Sequence, residues 1–298
     1  MTGGFGIDSY FFFQHMQQVT YCEQQTELAE IAQHNFQVLK ANNIQVINND
    51  AVAYLKNTPY YFDWIYLDPA RRDGVGIRKI GLADYTPNVL TIKELLFKNG
   101  KKILLKTSPM LDIQQAIQQL EKVVQVYVVA VKNEVKELLF EMESETNNTP
   151  VPVIQCINLD TDNLPYITSR RPNKVDYAFP KTYLYEPNAT ILKAGLFHEI
   201  AEDFDIEKLH PNTHLYTSEV LVKYFPGRIF SIQAVLPYQK KTVLPYLTKK
   251  KANISTRNFP DSVVEMKKKL GIKDGGEQYL FGATLMDDSL KVLVCTRL

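Results

Sequence analysis

Between residues 18 and 106, short apolar runs alternate with stretches of helical spacing. Residues 18–23 read as a strand, and residues 24–41 place Leu28, Ile31, Ala32, Phe36 and Leu39 on one helical face. Further strands are expected over 44–47, 62–67 and 101–106, with helices over 50–56, 89–97 and 111–121. A chain of this pattern folds as a parallel sheet whose strands are joined by right-handed helical crossovers. Residues 123–131 and 136–143 follow one another without a helix, so an antiparallel hairpin is expected at the sheet edge. In open α/β sheets ligands bind just outside the carboxyl ends of the strands.

Those ends carry the chemistry. Gly3, Gly4 and Gly6 precede a helix expected over 7–16; glycines let backbone approach a ligand and leave helix N–H groups facing it. Glu23 ends the first strand, 17 residues after Gly6, and Asp50 ends the second. Asp68-Pro69 ends the third and is followed by Ala70, Arg71 and Arg72. An acid, a rigid proline and two guanidinium groups at such a turn suit a polar or anionic substrate. Lys106, Ser108 and Pro109 end the next strand on the same rim. Plainer roles compete: Glu23 favours a helix dipole, Asp50 is an N-cap, Asp68 caps a turn, and the arginines pair with surface acids.

Residues 144–150 are polar and read as a boundary or surface loop. From 177 onward, strands over 182–185, 228–236, 253–257, 279–285 and 290–296 alternate with helices over 189–203, 240–249 and 261–270, and residues 286–289 form a hairpin turn. That is an α+β pattern of ferredoxin-like type. The chain carries a net charge of +1, yet residues 210–275 hold 12 Lys/Arg against 4 acids, a local +8 that leaves −7 elsewhere. Such asymmetry marks a candidate polyanion surface, with solvated helix ends as the bland alternative for Lys249, Lys250, Lys251 and the run at 267–269. No apolar run approaches the roughly 20 residues a membrane helix needs. The three cysteines lie far apart, which supports neither a zinc site nor a disulfide framework and fits a reduced, cytoplasmic setting. His210 and His214 are four apart, but Pro211 stands between them, so no metal site is expected there.

The glycine loop, Glu23, Asp50 and Asp68-Pro69, in that order, resemble class I S-adenosylmethionine-dependent methyltransferases. The resemblance implies S-adenosylmethionine as cofactor, with Gly3, Gly4, Gly6 and Asp8 around its methionine part. It assigns the ribose hydroxyls to Glu23 and the adenine to Asp50 and Ala51. Asp68, Pro69 and Arg71 fall where such enzymes present the substrate to the methyl group. The strings TGGFGIDS, LDPARRD, KTSPMLDI, LYEPNATILKAG, LHPNTHLYTS, YLFGATL and LKVLVCTRL narrow the resemblance to bacterial members that end in ferredoxin-like and THUMP-like domains. The implied fold is a Rossmann-like α/β methyltransferase sheet over 1–150, a ferredoxin-like module over 151–220 and a THUMP-like domain over 221–298. THUMP domains bind RNA, so the likeness implies an RNA substrate, with Arg72, Lys106, Ser108, Lys249, Lys250 and Lys251 as contacts.

Two departures stand out. The sequence begins inside the glycine motif, whereas the family has a strand and an acid immediately before it; a fragment whose sheet lacks its first strand is therefore expected. Base-amino methyltransferases carry Asn/Asp-Pro-Pro followed by an aromatic that stacks on the flipped base, whereas Ala70 and Arg71 stand here. Two other classes stay open: a binding protein that keeps the cofactor fold without activity, and a methyltransferase for a small molecule or a protein.

Overall fold

The computed structural model describes residues 1–71, 81–145, 151–169, 172 and 174–298, apart from the side chain of Arg71. It divides into two units, one made of Met1–Tyr127 and Lys136–Ile154, the other of Val128–Val135 and Gln155–Leu298.

The first unit opens with α1 (Ile7–Phe13), β1 (Val19–Glu23), α2 (Thr26–Val38), β2 (Ile44–Asn48), α3 (Ala51–Asn57) and β3 (Phe62–Leu67). There follow β4 (Ala70–Arg71), β5 (Tyr85–Thr86), α4 (Val89–Asn99), β6 (Gly100–Thr107), α5 (Ile113–Leu120), β7 (Val123–Val131) and β8 (Glu134–Glu143), the hairpin residues Val128–Val135 of the last two belonging to the second unit. Helix starts are set by side-chain caps that satisfy otherwise orphaned amides: Asp50 accepts from Ala53 N–H at 2.7 Å, Asn88 from Leu90 N–H at 3.0 Å and Asp112 from Gln115 N–H at 2.7 Å. The expected parallel ladders are present, with Val19 opposite Ile44 and Phe62 opposite Gly100. β8 runs antiparallel to β6, Lys102 facing Glu143. Of the α2 face predicted from its spacing, Ala32 and Phe36 are buried, together with Ala29, against Tyr21 and Ala41. Ile31 and Leu39 of that predicted face remain exposed, because the helix ends at Val38 and its apolar stripe is narrower than the sequence suggests.

Among the described residues β1 pairs only with β2, and β3 pairs only with β6, so the parallel sheet is interrupted. Between the two free edges lies a cavity of about 690 Å³, whose walls include Thr20, Tyr21, Cys22, Trp64, Ile65 and Tyr66. Residues 1–3 cross its carboxyl end. The Met1 ammonium donates to Tyr66 O at 2.9 Å, Gly3 N–H donates to Cys22 O at 2.9 Å, and Asp68 N–H donates to Thr2 Oγ1 at 3.0 Å. The first residues thus tie β1 to β3 through loop backbone instead of a ladder.

The second unit holds the rest: β9 (Val153–Leu159, from Gln155 on), β10 (Tyr166–Thr168), β11 (Tyr183–Pro187), α6 (Ala189–Ala194), α7 (Glu199–Asp203), β12 (Glu207–Lys208) and β13 (Tyr216–Ser218). Then come β14 (Gly227–Pro237), α8 (Lys240–Val243), β15 (Lys251–Arg257), α9 (Val263–Leu270), β16 (Lys273–Thr284) and β17 (Leu290–Arg297). β9 lies next to β7, so the hairpin expected at a sheet edge is not at one. A seven-stranded sheet has the order β12-β13-β11-β14-β17-β16-β15. One of its faces packs Leu184, Phe230, Phe281 and Leu293; α9 covers the other with Met266 and Leu270 against Leu280 and Val292. The single helix expected over 189–203 is two, because Gly195 takes φ +70° and closes α6. The helix expected over 240–249 stops after four residues. Pro245 breaks it, and Lys249 and Lys250 take left-handed φ values of 54° and 53°.

Lys208 is buried in this unit; its ammonium donates to Pro211 O at 2.8 Å and sits 5.3 Å over the Phe197 ring. His214 stacks on that same ring, centroid to centroid at 3.7 Å. Burial first, then repulsion from Lys208, pushes His214 from its ordinary 6.5 down to about 4. A base with a depressed folded pKa binds fewer protons folded than unfolded between those two values. Its contribution is therefore level above about 6.5, and stability is lost as pH falls from there toward 4, by about 2–3 kcal/mol at most. His214→Asn, which tolerates the native φ of +51°, should give a flatter melting-temperature profile across that range. An unchanged slope would contradict the burial argument.

Candidate active site

The carboxyl end of β1 is built around Glu23. Its side chain is buried, and each oxygen is fixed by a backbone amide: Gly4 N–H donates to Oε2 and Gln25 N–H to Oε1, both at 2.9 Å. Asn48 Nδ2 and Asn49 N–H donate to its carbonyl oxygen, locking the ends of β1 and β2 together. A carboxylate has about four acceptor sites, so this one keeps acceptor capacity in a fixed direction. The glycine loop above it is sterically specified. A Cβ on Gly3 would stand 2.3 Å from the Tyr21 ring, and one on Gly6, at φ +80°, would stand 2.4 Å from Phe36. Tyr21 OH donates to Gly4 O at 2.6 Å and completes the brace.

Asp50 stands exposed at the end of β2 and spends Oδ1 on capping α3, so the plain role foreseen for it is realised. Ala51, half-buried, is the first residue of that helix.

At the end of β3 the structure gathers four charged groups. Lys106, near the end of β6, places Nζ 3.0 Å from Asp68 Oδ2, 3.2 Å from Asp8 Oδ2 and 4.0 Å from Glu137 Oε2. Tyr66 OH donates to Asp8 Oδ2 at 2.8 Å. Asp8, assigned by resemblance to the cofactor, is therefore tied to the cluster at Asp68. Burial opposes the charge on Lys106, but the bonds and charges of Asp68 and Asp8 outweigh it and hold its pKa above the ordinary value. Burial, then the Asp8 bond, pushes the Tyr66 phenol up. Burial also raises Glu137; Lys106 opposes this, and the charges of Asp8 and Asp68 add to it. A cavity of about 260 Å³ lies against this cluster, lined by Asp68, Pro69, Tyr85, Lys106, Ser108 and Glu137 among others. Ser108 N–H donates to Tyr85 OH at 3.3 Å, and Ser108 Oγ accepts from Met110 N–H at 3.1 Å.

Of the residues singled out in the sequence, Gly3, Gly4, Gly6 and Glu23 thus form one group, and Asp8, Asp68, Pro69, Lys106 and Ser108 another. Arg72 and the Arg71 side chain lie outside the described residues. Lys249, Lys250 and Lys251 are exposed in the second unit, in a tight turn and at the start of β15. Tyr66, Tyr85 and Glu137 are additions. Glu137 lies in a stretch that the sequence marks only as a strand, and the β6–β8 register, which puts Lys106 opposite Leu139, brings it to the site. Among the described residues no group of three His, Cys, Asp or Glu side chains is placed to hold a metal.

An α/β unit with acids at successive strand ends and a glycine loop over the first defines a methyltransferase-type fold. Residues 183–226 match a ferredoxin-like domain family and residues 227–297 a THUMP domain-like family. The crystal structure of a protein from Porphyromonas gingivalis W83 aligns over 99% of this chain and 75% of its own length, at 36% identity and a TM-score of 0.89. The YhhF protein of Escherichia coli aligns over 49% of this chain and 74% of its own, at 16% identity and a TM-score of 0.33. A Streptococcus mutans protein in complex with SAH aligns over 48% and 84%, at 14% and 0.34. All three bear the description "putative methyltransferase". No curated protein matches the chain. The chain belongs to the family of the Porphyromonas gingivalis protein, in which a methyltransferase fold is followed by ferredoxin-like and THUMP-like domains.

Proposed function

We propose that the chain is an S-adenosylmethionine-dependent methyltransferase that acts on RNA, with residues 1–150 as the catalytic part and residues 151–220 and 221–298 as the ferredoxin-like and THUMP-like parts. The observation that carries this reading is the Glu23 carboxylate, aimed by two backbone amides at the end of β1 beneath a glycine loop. The residues fit the cofactor. A Cβ at Gly4 would meet nothing within 4 Å, so the loop is open to a ligand where Glu23 has acceptor sites to offer. Glu23 would take the ribose hydroxyls. Asp50 would receive the adenine amino group on Oδ2, since Oδ1 is committed to the helix cap.

The bound sulfonium supplies an electrophilic methyl group, so the protein's work is chiefly to position the nucleophile. Asp68 orients it by hydrogen bonding, Pro69 restricts the turn that carries Asp68, and Lys106 fixes the Asp68 carboxylate from the neighbouring strand. Arg71 and Arg72 are proposed to anchor a phosphate or stack on a base. The THUMP-like region, with Lys249, Lys250 and Lys251, would give salt-dependent affinity for the RNA backbone. Reversing these three charges should flatten the plot of log binding constant against log salt by about 2, measured by fluorescence anisotropy with a labelled single-stranded RNA. An unchanged slope would remove the lysines from the interface. Calorimetry with S-adenosylmethionine and S-adenosylhomocysteine tests the cofactor directly, and failure of both to bind would overturn the reading.

A further inference from the structure

We propose that Arg228 and Arg257 form a seat for a phosphate group of the RNA; this rests on the reading of the chain as an RNA methyltransferase and names two residues of the second unit that hold its substrate. Both guanidiniums converge on one carboxylate. Glu186, on β11, keeps only 4% of its side-chain surface exposed. Arg228, its cross-strand neighbour on β14, donates from Nε to Oε2 at 2.6 Å and brings Nη2 against the same oxygen. Arg257, the last residue of β15, donates from Nη2 to Oε1 at 2.7 Å and from Nη1 to Thr256 O at 2.9 Å. The turn before Arg228 lets the two strands close in: a Cβ on Gly227 would stand 2.1 Å from Glu186 O. Arg228 Cζ sits 5.6 Å over the Phe230 ring, which further fixes the plane of its fork.

A buried carboxylate needs a cationic partner, and either guanidinium alone would neutralise Glu186. With both in place the group joins one negative charge to two positive ones. Among the described residues neither arginine pairs with a second carboxylate. Asp288, which reaches Asn258 through His210, is exposed and screened by solvent. On the side of His214 the neighbouring charge is again positive, from Lys208. Donors are also left over. Each guanidinium carries five N–H groups; Arg228 Nη1 makes no hydrogen bond among the described residues, and Arg257 Nε is buried there without an acceptor. The two side chains remain 36% and 34% exposed, so a ligand reaches forks that Glu186 already aims. A phosphate accepts several N–H bonds at once in the bidentate geometry an arginine presents, and its charge cancels the surplus. Such a contact fixes where the RNA lies and carries no sequence information.

The test measures binding of a labelled single-stranded RNA to the full chain by fluorescence anisotropy, for wild type, Arg257→Gln and Arg257→Lys. Arg228 still neutralises Glu186 in both variants, so both should melt near the wild type. Arg257→Gln should bind about tenfold more weakly or worse and flatten the plot of log binding constant against log salt by about 0.7. Arg257→Lys keeps the charge but loses the planar fork, so it should recover the salt dependence and not the affinity. RNA made with a 5′-phosphate or a 5′-hydroxyl locates the group: equal losses place a backbone phosphate in the seat, and a loss confined to the phosphorylated RNA places a terminal one there. Nitrogen-15 NMR of the arginine Nε–H groups needs no variant, and the Arg228 and Arg257 resonances should shift when RNA is added. A wild type that binds RNA but is matched in affinity by Arg257→Gln, or by Arg257→Lys, overturns the proposal alone, as do Arg228 and Arg257 resonances that stay in place in the RNA complex. A wild type that binds no RNA overturns the RNA reading, and the proposal with it.

Discussion

Glu23→Gln should bind S-adenosylmethionine about 100-fold more weakly than the wild type, a loss of about 3 kcal/mol, measured by calorimetry. A hydrogen bond to a charged group contributes about 1.5–3 kcal/mol, and a ribose offers two hydroxyls to this carboxylate. The amide keeps one oxygen to accept from Gly4 or Gln25, so the loop has a reason to stay in place. Thermal unfolding without ligand separates affinity from folding. The variant should melt near the wild type alone and lose most of the stabilisation that saturating cofactor gives. An affinity within threefold of wild type would mean that Glu23 serves only as a brace between β1 and the glycine loop.

Asp68→Ala should lower the rate of methyl transfer by about 10²–10³, with the cofactor dissociation constant within threefold of wild type. The reasoning is positional: misplacing a nucleophile by about an ångström costs around two orders of magnitude, and Asp68 is the carboxylate at the mouth of the turn closest to Lys106. Lys106 keeps Asp8 as a partner in the variant, so the ammonium is not stranded. Asp68→Asn, which preserves the turn, should recover part of the rate if orientation is the main role. A fall in cofactor affinity with an unchanged maximal rate would move Asp68 from substrate to cofactor.

The parallel ladders of the first unit were legible because strand length, apolar content and turn chemistry are local properties. Glu23, Asp50 and Asp68 could be placed at strand ends for the same reason. The site around Lys106 was only half legible. Asp68 and Lys106 end neighbouring parallel strands, but Glu137 reaches them through an antiparallel pairing whose register no local pattern encodes. Asp8 shows a related limit. The resemblance assigns it to the cofactor, and its contacts with a hydroxyl from β3, 58 residues on, and with Lys106 come from pairings that no local pattern encodes. In the second unit, helical spacing over 189–203 and 240–249 concealed breaks made by single residues, Gly195 and Pro245. Spacing averages over a window, and a left-handed glycine or a missing N–H acts at one position.

The most direct test incubates the chain with S-adenosylmethionine labelled in its methyl group, together with total RNA in one tube and a nucleic-acid-free protein and metabolite extract in another. Label is expected in the RNA fraction, sensitive to ribonuclease and strongly reduced by Asp68→Ala. Label in protein or small molecules but not in RNA would contradict the RNA assignment, and label in neither would contradict methyl transfer itself.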